Sequence, residues 1–156
     1  MVKRLMLPKR KSLQTERDPL TTSFVIAENN DFFRSTLVQI LVNQDGLYTC
    51  AGEARDGKQA LERIAETTPD VLILDLRMPG MDGFEVMDAL RDKPLSPRIL
   101  VLTMNHSEGM MQKAFEHGAD GYCTKTSGMK ALFEAVDQVA RGRRYVSPDL
   151  SGGGRG

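Results

Sequence analysis

Past residue 22 the chain alternates short apolar runs with amphipathic stretches five times, and this alternation leaves few folds open. The first run is Ser23-Phe24-Val25-Ile26-Ala27-Glu28. After it Phe33, Leu37, Ile40 and Leu41 recur at i, i+4, i+7 and i+8, the spacing of one helical face, until a turn at Gln44-Asp45-Gly46. The second run, Leu47 to Ala54, leads to Asp56 as an N-cap and a helix with Ala60, Leu61, Ile64 and Ala65 inward, stopped by Pro69. The third is Val71-Leu72-Ile73-Leu74-Asp75, and Gly83 then opens a helix carrying Phe84, Met87 and Leu90 before Pro94 and Pro97. Arg98 to Thr103 is the fourth, with a helix from about Ser107 to His117. Gly121-Tyr122-Cys123-Thr124 is the fifth, and Leu132, Val136 and Val139 align the last helix. Strands alternating with helices of about ten residues predict right-handed crossovers and an α/β fold, a doubly wound five-stranded parallel sheet covered on both faces.

Such a sheet binds ligands at one edge, the carboxyl ends of its strands. This chain places Glu28-Asn29 after the first strand, Asp75 after the third, Thr103 at the end of the fourth and Lys125 after the fifth. Asp75 carries most weight: it closes a run that reads as a buried parallel strand and precedes the Pro/Gly turn Met78-Pro79-Gly80-Met81-Asp82-Gly83. A lone Thr or Lys at a strand end is more often structural than chemical, and an Asp before a Pro-Gly bend can simply start a turn. Together they supply a carboxylate nucleophile, a second acid for a divalent cation, a hydroxyl and a fixed positive charge. A carboxylate needs a cation to approach a phosphoryl group, because two anions repel. Lys125 would meet a phosphate oxygen as a point charge, and Thr103 would hydrogen-bond another.

The run Leu74-Asp75-Leu76-Arg77-Met78-Pro79-Gly80-Met81-Asp82-Gly83, with Val101-Leu102-Thr103 and Gly118-Ala119-Asp120-Gly121-Tyr122-Cys123-Thr124-Lys125, resembles the response-regulator receiver domain of two-component signalling, over residues 22 to about 149. The resemblance implies a flavodoxin-like (βα)5 receiver fold with strand order 2-1-3-4-5, and a signalling module rather than an enzyme. It makes Asp75 the phosphoacceptor, Thr103 the switch hydroxyl, Tyr122 the switch aromatic and Lys125 the family's lysine. The implied cofactor is Mg2+, held by Glu28, Asn29, Asp75 and the backbone carbonyl of Arg77. A histidine kinase or phosphotransfer protein would supply the phosphoryl group. Phosphorylation would draw Thr103 inward, move Tyr122 into the released space and switch the face of the fourth helix, fifth strand and fifth helix, a surface for a homodimer or partner. Met104, Met110, Met111 and Phe115 lie on or beside that fourth helix.

Residues 142–150 are similar to the linker after the receiver in NarL/FixJ-type regulators, which continue into a LuxR-type DNA-binding domain and regulate transcription. The tail that follows is too short for such a domain, so no direct DNA binding is expected of this chain. The expected organisation is a basic flexible extension over 1–21, a receiver over 22–149 and a Gly-rich flexible tail over 150–156. The extension holds Lys3, Arg4, Lys9, Arg10, Lys11 and Arg17 against Glu16 and Asp18. Over the whole chain Lys plus Arg equals Asp plus Glu at 21 each, which gives no general field for nucleic acid. No run approaches the roughly 18 apolar residues of a membrane span, and no apolar stretch follows the N-terminal charges as in a secretory signal, so the cytoplasm is the expected location. Cys50 and Cys123 lack metal-binding spacing and read as small buried hydrophobes. His106 and His117 each read as isolated, His117 beside the Gly118 that ends a helix, where a His is commonly a dipole or capping residue.

One departure from the family pattern bears on chemistry. Two acidic residues usually follow the first strand, the second a direct Mg2+ ligand; here Glu28 is followed by Asn29. An amide oxygen can still ligate, but a lost charge weakens a site for a hard cation. Asn29 has two other readings: a cap for the first helix, or the mark of a pseudo-receiver, a binding module that works without phosphorylation. An aspartate-nucleophile phosphatase needs a second acid two residues after the nucleophile, where this chain has Arg77. A nucleotide-binding module would need a glycine-rich loop after the first strand, which is missing.

Overall fold

A computed structural model describes residues 21–151. The strands are β1 (Thr22–Ala27), β2 (Tyr48–Ala54), β3 (Val71–Leu74), β4 (Arg98–Thr103), β5 (Gly121–Thr124) and β6 (Tyr145–Val146). The helices are α1 (Asp31–Val42), α2 (Gly57–Thr67), α3 (Gly83–Leu90), α4 (Glu108–Glu116), α5 (Met129–Ala140) and α6 (Pro148–Ser151). All strand pairs are parallel, in the order β2-β1-β3-β4-β5-β6. The doubly wound α/β reading and the order of the first five strands hold.

Alternation along the strands divides the core in two. Val25, Ala27, Leu72, Leu74 and Val101 pack on one face with Ile64 of α2, Val86 and Met87 of α3, and Ala114 of α4. Phe24, Ile26, Ile73, Leu100 and Leu102 pack on the other with Leu37 and Leu41 of α1, and Leu132, Val136 and Val139 of α5. Burial on both faces explains why β3 is an unbroken apolar run. The helix starts follow from short polar side chains that accept an otherwise unpaired backbone N–H: Asp56 from Gln59, Asp82 from Glu85 and Ser107 from Met110. At α3 the Glu85 carboxylate accepts in turn from the Asp82 N–H, completing a capping box.

Several expectations need correction. The sheet has six strands, because Gly142, at φ 84°, turns the chain after α5 and lets Tyr145–Val146 pair with Gly121 and Tyr122. The packed domain runs past residue 149: α6 follows β6 and Leu150 is buried against the first core layer, so the tail cannot begin there. The basic extension and the last five residues lie outside the described residues, apart from Thr21. Ala65 is exposed, since α2 buries Gly57, Ala60 and Ile64 and half-buries Leu61, and Cys50 is half-buried. Asn29 does not cap α1; the neighbouring Asn30 does, accepting from Phe33 N at 2.8 Å. His106 is not isolated, because its Nε2 lies 2.7 Å from Thr126 Oγ1 and 3.4 Å from Asp149. His117 caps α4 and reaches Asp88 on α3 at 2.7 Å.

Candidate phosphoacceptor site

The sheet's hydrogen-bond ladder runs one residue past three of its strands and fixes the site's backbone. Glu28 N donates to Ala54 O at 3.0 Å, Asp75 N to Ala27 O at 3.0 Å and Lys125 N to Thr103 O at 2.8 Å. Each of these residues follows the last buried residue of its strand in register with its neighbour, so their side chains emerge at the same rim. On the far side of Asp75, α3 is seated very close. A Cβ on Gly83 would stand 2.7 Å from the Asp75 carbonyl oxygen and 2.8 Å from Leu76 Cα, so this helix start accepts no side chain.

Lys125 bridges two carboxylates. Its Nζ lies 2.7 Å from Glu28 Oε1 and 3.1 Å from Asp75 Oδ2, with all three side chains largely buried. The second Glu28 oxygen accepts from Asn30 N at 2.8 Å, and Asp75 Oδ1 accepts a longer bond, 3.3 Å, from Arg77 N. Burial and then the Glu28 charge raise the Asp75 carboxyl above its ordinary value, against the opposing pull of Lys125. Burial tends to lower the Lys125 ammonium, but its bonds and charge contacts with Glu28 and Asp75 outweigh that and raise it, so it stays protonated at neutral pH. Two acids facing one base leave a deficit of positive charge in the site.

Asp75, Thr103 and Lys125, from three different strand ends, line one open cleft of about 320 Å3 together with Arg77, Met104 and Asn105. An adjoining hollow of about 550 Å3 shares Arg77, Thr103 and Asn105 and is also lined by Asn29. Asn29 is exposed on that hollow while Glu28 is buried behind Lys125. Among the described residues no group of three acidic, His or Cys side chains is placed to hold a metal. A cation here would draw on Glu28, Asp75, the Arg77 carbonyl and the Asn29 amide. Two carboxylates with neutral oxygens and water suit Mg2+, which does not require an all-carboxylate cage.

Tyr122 lies inside the domain. Its ring is fully buried and its hydroxyl donates to Asn105 O at 2.9 Å, in the loop after β4. The ring is thus inward in this conformation, and the Asn105 whose carbonyl it bonds also donates its N–H to Thr103 Oγ1 at 3.4 Å. Burial pushes the Tyr122 hydroxyl up to about 12, so it remains a donor. On the neighbouring face Met104 is 59% exposed, whereas Met110, Met111 and Phe115 are half-buried against the core.

Two features escaped the sequence. Lys125 Nζ lies 4.6 Å from the centroid of the Phe33 ring, though Phe33 reads only as a core residue of α1. At the other end, Asp149 gathers the hydroxyls of Thr124, Ser127 and Ser147, which fastens the segment after α5 to β5. Burial raises the Asp149 carboxyl, but those bonds and the His106 contact together hold it below its ordinary value. The run Tyr145-Val146-Ser147-Pro148-Asp149 carries no periodicity from which to infer this; contact across 25 residues of sequence is a tertiary outcome.

Comparison with known proteins identifies the family. A profile of the response regulator receiver domain matches residues 24–137. The chain is 37% identical over 135 residues to a probable transcriptional regulatory protein NarL of Mycobacterium tuberculosis, covering 86% of this chain and 62% of that protein. It is 34% identical over 137 residues to the nitrate/nitrite response regulator NarL of Escherichia coli K12, covering 88% and 62%. The chain therefore spans about three fifths of the length of these relatives. Among solved structures, a LuxR-family two-component response regulator from Aurantimonas sp. SI85-9A1 superposes with a TM-score of 0.80 at 33% identity, covering 85% of this chain and 94% of that one. The signal receiver domain of the M. tuberculosis NarL protein gives 0.75 at 35% identity, covering 80% and 100%.

Proposed function

This chain belongs to the response regulator receiver domain family, and from that premise we propose that it is a phosphorylation switch in which Asp75 accepts a phosphoryl group from a phosphohistidine of a kinase or phosphotransfer partner. The observation that supports this reading best is the meeting of Asp75, Thr103 and Lys125 in one small cleft, with Lys125 3.1 Å from Asp75.

An Asp75 oxygen attacks phosphorus in line; the O–P bond forms as the N–P bond to the partner imidazole breaks, and the electron pair leaves with the imidazole nitrogen. Oδ1, bound only by the long contact from Arg77 N, is the freer of the two oxygens. Lys125 transfers its bond from Asp75 to a phosphoryl oxygen, and Thr103 donates its hydroxyl to another. When bound, Mg2+ neutralises charge between Asp75, Glu28 and the incoming phosphoryl group. A phosphoryl group of roughly −2 where the carboxylate carried −1, with its three acceptor oxygens, then biases the β4–α4 loop between two populations, through Thr103, Asn105 and Tyr122, and changes what the α4, β5 and α5 face binds. Regulation of transcription through a longer regulator, homodimer formation on that face and a cytoplasmic location belong to this reading. Among the described residues no helix is long and apolar enough to cross a membrane.

Intact mass after incubation with a small phosphodonor and Mg2+ tests it. The wild type gains one phosphoryl group, Asp75→Asn gains none, and Asn29→Asp labels faster. A wild type that never labels, beside an Asn29→Asp variant that does, would establish instead a binding module independent of phosphorylation.

A further inference from the structure

Lys125 faces a conflict in the reaction proposed above. Its two polar partners are Glu28 and Asp75, and both are needed elsewhere once a cation and a phosphoryl group arrive. In an acyl phosphate the charge of the Asp75 carboxylate gives way to charge on the phosphoryl oxygens, and Glu28 would be one of the residues holding a bound cation. The ammonium must stay at the cleft with its N–H donors free for phosphoryl oxygen. Its backbone is held by the bond to Thr103 O, but four flexible side-chain carbons separate that anchor from the nitrogen.

We propose that Phe33 is a positioning residue for this chemistry, its ring face holding the Lys125 ammonium in place when the carboxylates let go; the inference rests on the phosphoacceptor reading and deepens it. The ring centroid is 4.6 Å from Nζ, within the range in which a ring quadrupole attracts a cation. That attraction uses the π cloud and competes for no hydrogen bond, so it leaves the donors to the phosphoryl group. The Lys125 side chain is only 14% exposed, which limits screening by water. Phe33 is itself rigidly placed: it lies in the first turn of α1, its N–H is bonded to the Asn30 cap, and its ring packs against the core layer between the sheet and α1 and α5.

The experiment replaces Phe33 by 4-fluoro-, 3,5-difluoro- and 3,4,5-trifluorophenylalanine, which drain the ring face with little change of shape, alongside Phe33→Leu, Phe33→Tyr and Phe33→Trp. Two quantities are read at matched thermal stability: the rate of acyl-phosphate formation with a small phosphodonor and Mg2+, and the titration of the Lys125 ammonium by NMR without donor. The rate should fall stepwise with fluorination, by about fivefold at the trifluoro ring and similarly for Phe33→Leu, while Tyr and Trp stay within roughly twofold of wild type. The Lys125 titration should move down along the same series. A flat rate series in a wild type that labels would overturn the inference and leave the phosphoacceptor reading intact. A wild type that does not label defeats that reading itself. A Lys125 titration indifferent to fluorination overturns the ring contact in either case.

Discussion

Replacing Lys125 by Met should expose how the site balances charge. At an effective dielectric near 20, unit charges about 3 Å apart attract by roughly 5 to 6 kcal/mol, and Lys125 makes two such contacts, at 2.7 and 3.1 Å. Much of that attraction offsets the cost of taking three charges out of water, so the pair energies are not net stability. What does not cancel is the result of removing the shared cation: Glu28 and Asp75, both more than nine-tenths buried, would face each other with that counter-charge gone. Breaking a buried ion pair in this way costs about 3 to 5 kcal/mol, while the Met side chain preserves most of the packing. Urea unfolding at pH 7 should show a midpoint lowered accordingly at unchanged slope. Adding Glu28→Gln should recover about half of the loss, a coupling expected of residues in contact. Mg2+ should stabilise Lys125→Met by about 2.7 kcal/mol at a hundredfold excess over that variant's dissociation constant, and wild type by less at the same concentration, because two carboxylates without their shared ammonium would hold a cation more tightly. A variant as stable as wild type, or one indifferent to both Glu28→Gln and Mg2+, would refute the charge-deficit argument.

Gly83→Ala must push α3 off the Asp75 carbonyl, which a Cβ would approach to 2.7 Å; a loss of about 1 to 3 kcal/mol and slower Asp75 labelling are expected, checked by thermal unfolding and intact mass. Tyr122→Phe leaves the Asn105 carbonyl without its 2.9 Å donor and should cost about 1 kcal/mol in urea unfolding, with faster hydrogen exchange in the β4–α4 loop; unchanged exchange would mean that the bond does not order the loop. Asp149→Ala should release the segment from Tyr145 to Leu150, seen as faster exchange of its amides, at a cost of about 1 kcal/mol near neutrality. Because the Asp149 carboxyl is held below its ordinary value in the folded state, its contribution is complete above about pH 4 to 5 and is lost as pH falls through the lowered value. The difference between this variant and wild type should therefore vanish in acid.

The layered fold and the place of Asp75 at the end of β3 were legible because both are written locally. Strand and helix periods differ, and a carboxylate directly after four buried residues can only lie at a strand end. The caps of α2 and α3 were equally local in origin, although only the one at Asp56 was foreseen; its partner N–H lies three residues ahead. Asn29 and Asn30 mark the limit of such reading, since two adjacent amides offer the same chemistry and only the path of the chain leaving β1 selects Asn30 as the cap and turns Asn29 to the hollow.

The sequence by itself determined which chemical groups stand at the strand ends, because each lies within a residue of its own apolar run. Tertiary structure alone decided how those groups engage: that Lys125 spans Glu28 and Asp75, that the Phe33 ring lies beside it, that Tyr122 is already inside, and that Asp149 fastens a sixth strand to the sheet. Distance, burial and local charge are properties of segments brought together from far apart in the chain. No window along it contains them.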